Sequence, residues 1–102
     1  MAFEMLIGIE VSDEQGYRQY REAMMPILKS YGGKFGYDFV VSEVLMSPTP
    51  EPVNRVFTLI FSDEKTKEAF FADVEYAKVK ERYFKPSVSS VTRISEYVKQ
   101  IN

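Results

Sequence analysis

The chain has 102 residues, 45% of them hydrophobic and 15% aromatic, with 13 basic and 15 acidic side chains and no cysteine or histidine. These numbers describe a globular chain of one domain, expected over residues 1–98 with a short tail at 99–102. They also exclude a good deal. A net charge of −2 provides no basic stripe for a nucleic-acid backbone, and the lack of cysteine removes disulfides and thiolate chemistry and fits a reducing cytoplasm. The missing histidine takes away the commonest general base and the commonest zinc or haem ligand, so no cofactor is expected. No apolar run is long enough to span a membrane, and Glu4 and Glu10 interrupt the first one, so neither a membrane helix nor a signal peptide is read.

Phe3 to Val11 alternates, with Phe3, Met5, Ile7, Ile9 and Val11 on one side and Glu4, Leu6, Gly8 and Glu10 on the other. That period of two predicts a strand with one face in a core. Gly8 leaves room for a close approach on the second face. Ser12-Asp13-Glu14 follows, and the same tripeptide returns as Ser62-Asp63-Glu64 after the third apolar run. Each marks a strand-to-helix hinge with serine as the N-cap, and Gln15 completes a capping box for Ser12. Tyr17, Tyr20, Met24, Ile27, Leu28 and Tyr31 then recur at helical spacing. Pro26 should kink this helix near Glu22, and Gly32-Gly33 should end it.

Lys34 to Met46 is aromatic and β-branched, which predicts a long second strand bent near Gly36. Ser47 to Pro52 has three prolines in six residues and reads as a stiff hairpin loop, because proline cannot donate to a ladder. Arg55 to Phe61 is the third strand. A second helix follows, with a broad apolar face over Ala69, Phe70, Val74, Ala77 and Lys80, with Tyr76, Val79, Tyr83 and Phe84 beside them, and a break at Asp73. Pro86 stops it, Ser87 to Ser90 connects, and Val91 to Val98 alternates as a last strand.

The order β-α-β-β-α-β predicts an α+β, ferredoxin-like fold: a four-stranded antiparallel sheet with both helices on one face. The other face mixes Leu6 with Glu4 and Glu10, too apolar to leave wet and too charged for a core. A second copy of the sheet is its natural cover, which predicts a homodimer of the dimeric α/β-barrel type.

Particular residues carry a resemblance. Tyr17 and Tyr20 after the first cap, Tyr31-Gly32-Gly33-Lys34, Asn54-Arg55-Val56, Phe61-Ser62, and Glu75-Tyr76 with Arg82 run in order along nearly the whole chain. In this set the chain resembles the bacterial family known as domain of unknown function 1330, in the dimeric α/β-barrel superfamily. The resemblance implies a ferredoxin-like protomer and a homodimer, and transmits no activity. Related branches of the superfamily look like cofactor-free monooxygenases, lactone isomerases and haem-degrading enzymes, several of which rely on histidine. The family's second strand ends near a glutamate followed by glycine; here Glu43 is its counterpart and is followed by Val44-Leu45-Met46.

Five residues are candidates for a ligand site: Tyr17, Glu43, Arg55, Tyr76 and Arg82. A phenol can orient a substrate or donate a proton, a guanidinium can fork a carboxylate, and a strand glutamate can act as a base. Each also has an ordinary reading, as amphipathic core for the tyrosines and salt bridges for the charges. Three functions stay open. The chain is a binder of an apolar or aromatic small molecule, with or without a carboxylate, between sheet and helices; a cofactor-independent monooxygenase or isomerase; or a structural dimer with no ligand.

Overall fold

In the computed structural model, which describes residues 1–100, strand β1 (Ala2–Val11) leads into helix α1 (Glu14–Ser30) and strands β2 (Lys34–Val40) and β3 (Arg55–Phe61). Helices α2 (Glu64–Phe71) and α3 (Val74–Val79) follow, then a wide turn at Lys80–Phe84, a single turn at Lys85–Ser87, and strand β4 (Val88–Lys99). The strands form one antiparallel sheet in the order β2-β3-β1-β4, as the ferredoxin-like plan requires.

The alternation of β1 has the expected result. Phe3, Met5, Ile7, Ile9 and Val11 are buried together with Phe57, Leu59 and Phe61 of β3 and with Tyr17, Tyr20, Met24 and Leu28 of α1. Burying each such side chain contributes about 1.5–3 kcal/mol, which is what holds an amphipathic helix on a sheet. The close approach anticipated at Gly8 comes from the chain itself: a Cβ there would lie 3.0 Å from Val53 and 3.5 Å from Ile94.

The hinges differ from expectation by one residue. Asp13 and Asp63, not Ser12 and Ser62, are the N-caps: Asp13 accepts from the Gly16 N–H at 3.1 Å and Asp63 from that of Thr66 at 2.8 Å. Gln15 therefore forms no capping box with Ser12. The Ser12 N–H and hydroxyl instead donate to the Ser87 carbonyl at 2.8 and 3.2 Å, tying the hinge to the start of β4. Asp73 is a third aspartate cap, accepting from the Tyr76 N–H at 3.0 Å, and it marks the anticipated break between α2 and α3. Helix α1 runs through Pro26 as one element and ends in a Schellman motif. Gly33 N–H donates to Leu28 O, Gly32 N–H donates to Lys29 O, and Gly32 has a left-handed φ of 71°.

Four other expectations are corrected. Strand β2 stops at Val40 rather than Met46, because its last rung is Val41 N–H to Asn54 O and the proline-rich segment beyond presents no ladder to Ser42–Met46. Asn54 then acts as an added rung of the sheet: its side chain accepts from Val11 N–H at 2.8 Å and donates to Val11 O at 2.9 Å. The second helical face is also narrower than expected. Val74 is 68% exposed and Ala69 and Ala77 face water, while Phe70 and Tyr76 are buried. Capping at Asp73 restarts the helical phase, and the Lys85 N–H reaches back to Lys80 O, closing a turn one residue wider than α-helical. Finally β4 begins at Val88, three residues before the expected Val91, and continues through Lys99, which pairs with Ala2, where the tail was expected to begin. The last two residues of that tail, Ile101 and Asn102, lie outside the described residues.

Candidate functional site

Between the inner face of the sheet and the helices lies a cavity of about 200 Å³. Its floor is Met5, Ile7 and Ile9 of β1, Phe35 of β2, Phe57 and Leu59 of β3, and Val91 and Arg93 of β4. Its roof is Tyr20 and Met24 of α1, Phe71 of α2, Tyr76 of α3, and Lys80 and Phe84 at the two ends of the wide turn. An apolar cavity of about 150 Å³ holds a benzene molecule, so the space suits one six-membered ring and a substituent. Four phenylalanines around it favour edge and face contacts with such a ring.

Its polar groups are few. The hydroxyls of Tyr20 and Tyr76 lie 2.9 Å apart in a buried hydrogen bond, and the Tyr20 ring packs on Phe84 at 4.8 Å between centroids. Burial pushes the Tyr20 phenol well above its ordinary range, and the neighbouring Tyr76 hydroxyl adds to the rise. Burial raises Tyr76 as well, against an opposing contribution from its bond to Tyr20. Both phenols are therefore hydrogen-bond donors at neutral pH. Lys80 and Arg93 are the charged groups of the lining; both are exposed, and Arg93 has a loose ion pair with Glu96 at 3.6 Å. No carboxylate lines the space. The arrangement can hold an apolar ring and attract an anionic substituent.

Of the five sequence candidates, Tyr76 alone lines this cavity. Tyr17 is buried beside it, stacked on Tyr20 at 5.8 Å, but its hydroxyl accepts from Arg21 Nε at 2.8 Å and its ring lies under the guanidiniums of Arg21 and Arg55, at 5.1 and 5.2 Å. Arg55 pairs with Asp38 at 3.3 Å and, more distantly, with Glu14 at 3.7 Å. Arg82 is exposed in the wide turn, over the Tyr83 ring at 5.3 Å. Glu43 lines a different space, on the other side of the sheet. Two charged residues of the lining, Lys80 on the predicted apolar face and Arg93 on β4, are not among the five candidates. The signal for Arg93 is its register: it faces Ile7 across β1–β4, a cation on the inner side of a strand.

The outer face has its own groove, of about 640 Å³, between the segment after β2 and strands β3 and β4. Glu43, Val44, Leu45, Met46 and Ile94 line it, and Leu45 and Met46 are about nine-tenths exposed, at 87% and 92%. Tyr37 and Phe39 stack on each other nearby at 5.5 Å and are more than half exposed. Within the same face Glu4 is buried, its carboxylate accepting from the Tyr97 hydroxyl at 2.6 Å and lying 2.9 Å from Lys99 Nζ. Among the described residues no group of three acidic side chains converges to hold a metal ion, and no helix is long and apolar enough to cross a membrane.

The fold is shared with proteins of known structure. The chain is similar to a Rhodopseudomonas palustris protein of unknown function (TM-score 0.81, 15% identity, 99% of this chain and 84% of that one). It is also similar to a dabb family protein with a ferredoxin-like fold from Mesorhizobium loti (TM-score 0.67, 14% identity, 97% of each chain). A third likeness is to a dimeric protein of unknown function and ferredoxin-like fold from Bacteroides fragilis (TM-score 0.62, 11% identity, 94% of each chain). No curated protein matches the sequence. The family model described as Domain of unknown function (DUF1330) matches residues 5–97, nearly the whole chain, and the protein belongs to that family.

Proposed function

We propose that the protein binds a single-ring aromatic acid in the cavity between sheet and helices, and does so as a homodimer. The observation that carries the first half is the pairing of a ring-sized aromatic cavity with two cations and no anion in its lining. An apolar body with one charged end is the ligand that such a lining favours, because the ring leaves water while the acid meets Lys80 or Arg93 at the solvent side. A cofactor-independent oxygenase or isomerase needs a group that takes a proton from carbon. The lining offers protonated phenols and cations instead of carboxylates, which favours binding over turnover.

Calorimetric titration with benzoate, phenylacetate and the neutral benzyl alcohol tests this. The acids should bind about tenfold or more tightly than the alcohol, and Lys80→Ala/Arg93→Ala should erase that advantage. Acids that bind no better than the alcohol defeat the reading, and oxygen uptake or conversion of a bound acid would replace it with an enzyme.

The dimer is supported by the apolar side chains left exposed on the outer face and by the dimeric neighbour from Bacteroides fragilis. Light scattering at micromolar concentration should give twice the mass of the 11.8 kDa chain. A monomer there overturns it.

A further inference from the structure

The Tyr20–Tyr76 pair has one hydrogen more than it uses. Two hydroxyls carry two hydrogens, and the bond between them spends one. Among the described residues neither oxygen makes another hydrogen bond, and both side chains are at least nine-tenths buried, at 6% and 4% exposure. A buried donor without an acceptor is costly, and a hydroxyl rotor can turn toward whatever acceptor is brought to it. Both phenols line the ring-sized cavity, and nothing else in that lining is an uncharged polar side chain.

We infer that the ligand of this cavity is an oxygenated aromatic acid, whose ring hydroxyl or carbonyl oxygen accepts the spare hydrogen of the Tyr20–Tyr76 pair while its carboxylate meets Lys80 or Arg93. This deepens, and rests on, the reading of the cavity as a site for a single-ring aromatic acid. The two phenols are specificity-determining: they set the preference between rings of the same size. A methyl group enters an apolar cavity more readily than a hydroxyl does, by transfer alone. An order in which the hydroxyl wins therefore reports the hydrogen bond.

The test compares 3- and 4-hydroxybenzoate with 3- and 4-methylbenzoate by calorimetry on the wild-type protein and on Tyr20→Phe/Tyr76→Phe. That double change replaces both partners of a buried bond by apolar groups of nearly the same shape, which costs little stability. In the wild type one hydroxybenzoate should bind about tenfold more tightly than the methylbenzoate substituted at the same position. In the double variant the order should reverse.

Methylbenzoates that match or beat both hydroxybenzoates on the wild type overturn the inference without any variant. So does a double variant that keeps the hydroxyl preference. A folded double variant that loses all four acids overturns it too, since the phenols would then hold the ring as a whole. If no aromatic acid binds the wild type, the function proposed above falls first and this inference with it, a result distinct from acids that bind without regard to the oxygen.

Discussion

The two faces of one sheet solve the same problem differently. On the inner face the apolar side chains of β1 and β3 meet helices from the same chain, and the polar atoms among them are phenols that burial keeps protonated. On the outer face Tyr37, Phe39 and Ile94 stay half or more exposed, while Glu4 is buried and charged. Burial alone would raise the Glu4 carboxyl. The Tyr97 hydroxyl and the Lys99 ammonium outweigh that and hold it below its ordinary range. A protein keeps an ionised group in such a place only when partners for it are built in. The inner face is finished by folding; the outer face has its charge satisfied and its apolar surface left over.

Three experiments can break or sharpen this contrast. The largest effect should come from Phe70→Ala. Phe70 is fully buried among Phe61, Phe71, Tyr31 and Tyr76, and its loss should cost about 3–5 kcal/mol in urea unfolding. Phe39→Ala on the outer face should leave protomer stability within about 0.5 kcal/mol and raise the monomer fraction. Equal costs for the two would mean that the outer face belongs to the protomer's own core.

An intermediate loss is expected of Asn54→Ala. It removes both bonds to Val11 and should cost about 1–3 kcal/mol, with faster hydrogen exchange at the Val11 amide. Unchanged exchange there would show that the side chain is no part of the sheet.

The smallest effect concerns alkaline pH. Tyr20 and Tyr76 have folded-state values above the 10.0 of an exposed phenol, so the folded protein holds their protons more tightly than the unfolded chain. Their contribution is complete below pH 10 and declines as pH rises from there through the folded-state values. The urea midpoint should fall above pH 10, less so in Tyr20→Phe/Tyr76→Phe, and an identical slope in both proteins would refute the assignment.

Much of this was legible in the residues. Alternation gave β1 because a half-buried strand must repeat every two residues, and Asp73 announced a helix break because aspartate prefers a cap to a helix interior. The caps themselves slipped by one, since serine and aspartate are nearly equal there and adjacent in both hinges. Val41 to Met46 looks like strand by composition, but a strand needs an opposite partner, and composition does not show one. The site was legible in its residue types more than in its members. Tyr76 does line the cavity; Arg82, the arginine expected beside it, is turned away, because the wide turn adds a residue and shifts helical phase by about 100°. The family markers Asn54 and Gly32-Gly33 proved to be a sheet rung and a helix stop, scaffold rather than chemistry.

The Asn54 rung also governs what the chain can tolerate. Val41 and Asn54 bond to each other, and Asn54 is held to Ile9 and Val11, so the segment between them leaves and rejoins the sheet at a single fastened point. Closure of such a ring depends on its length only through a slowly growing entropy. Residues inserted or deleted around Thr49 would therefore change the shape of the outer groove without moving β1, β3 or the cavity behind them. The segment is a replaceable cassette, where the outer surface can diversify while the inner cavity stays as it is.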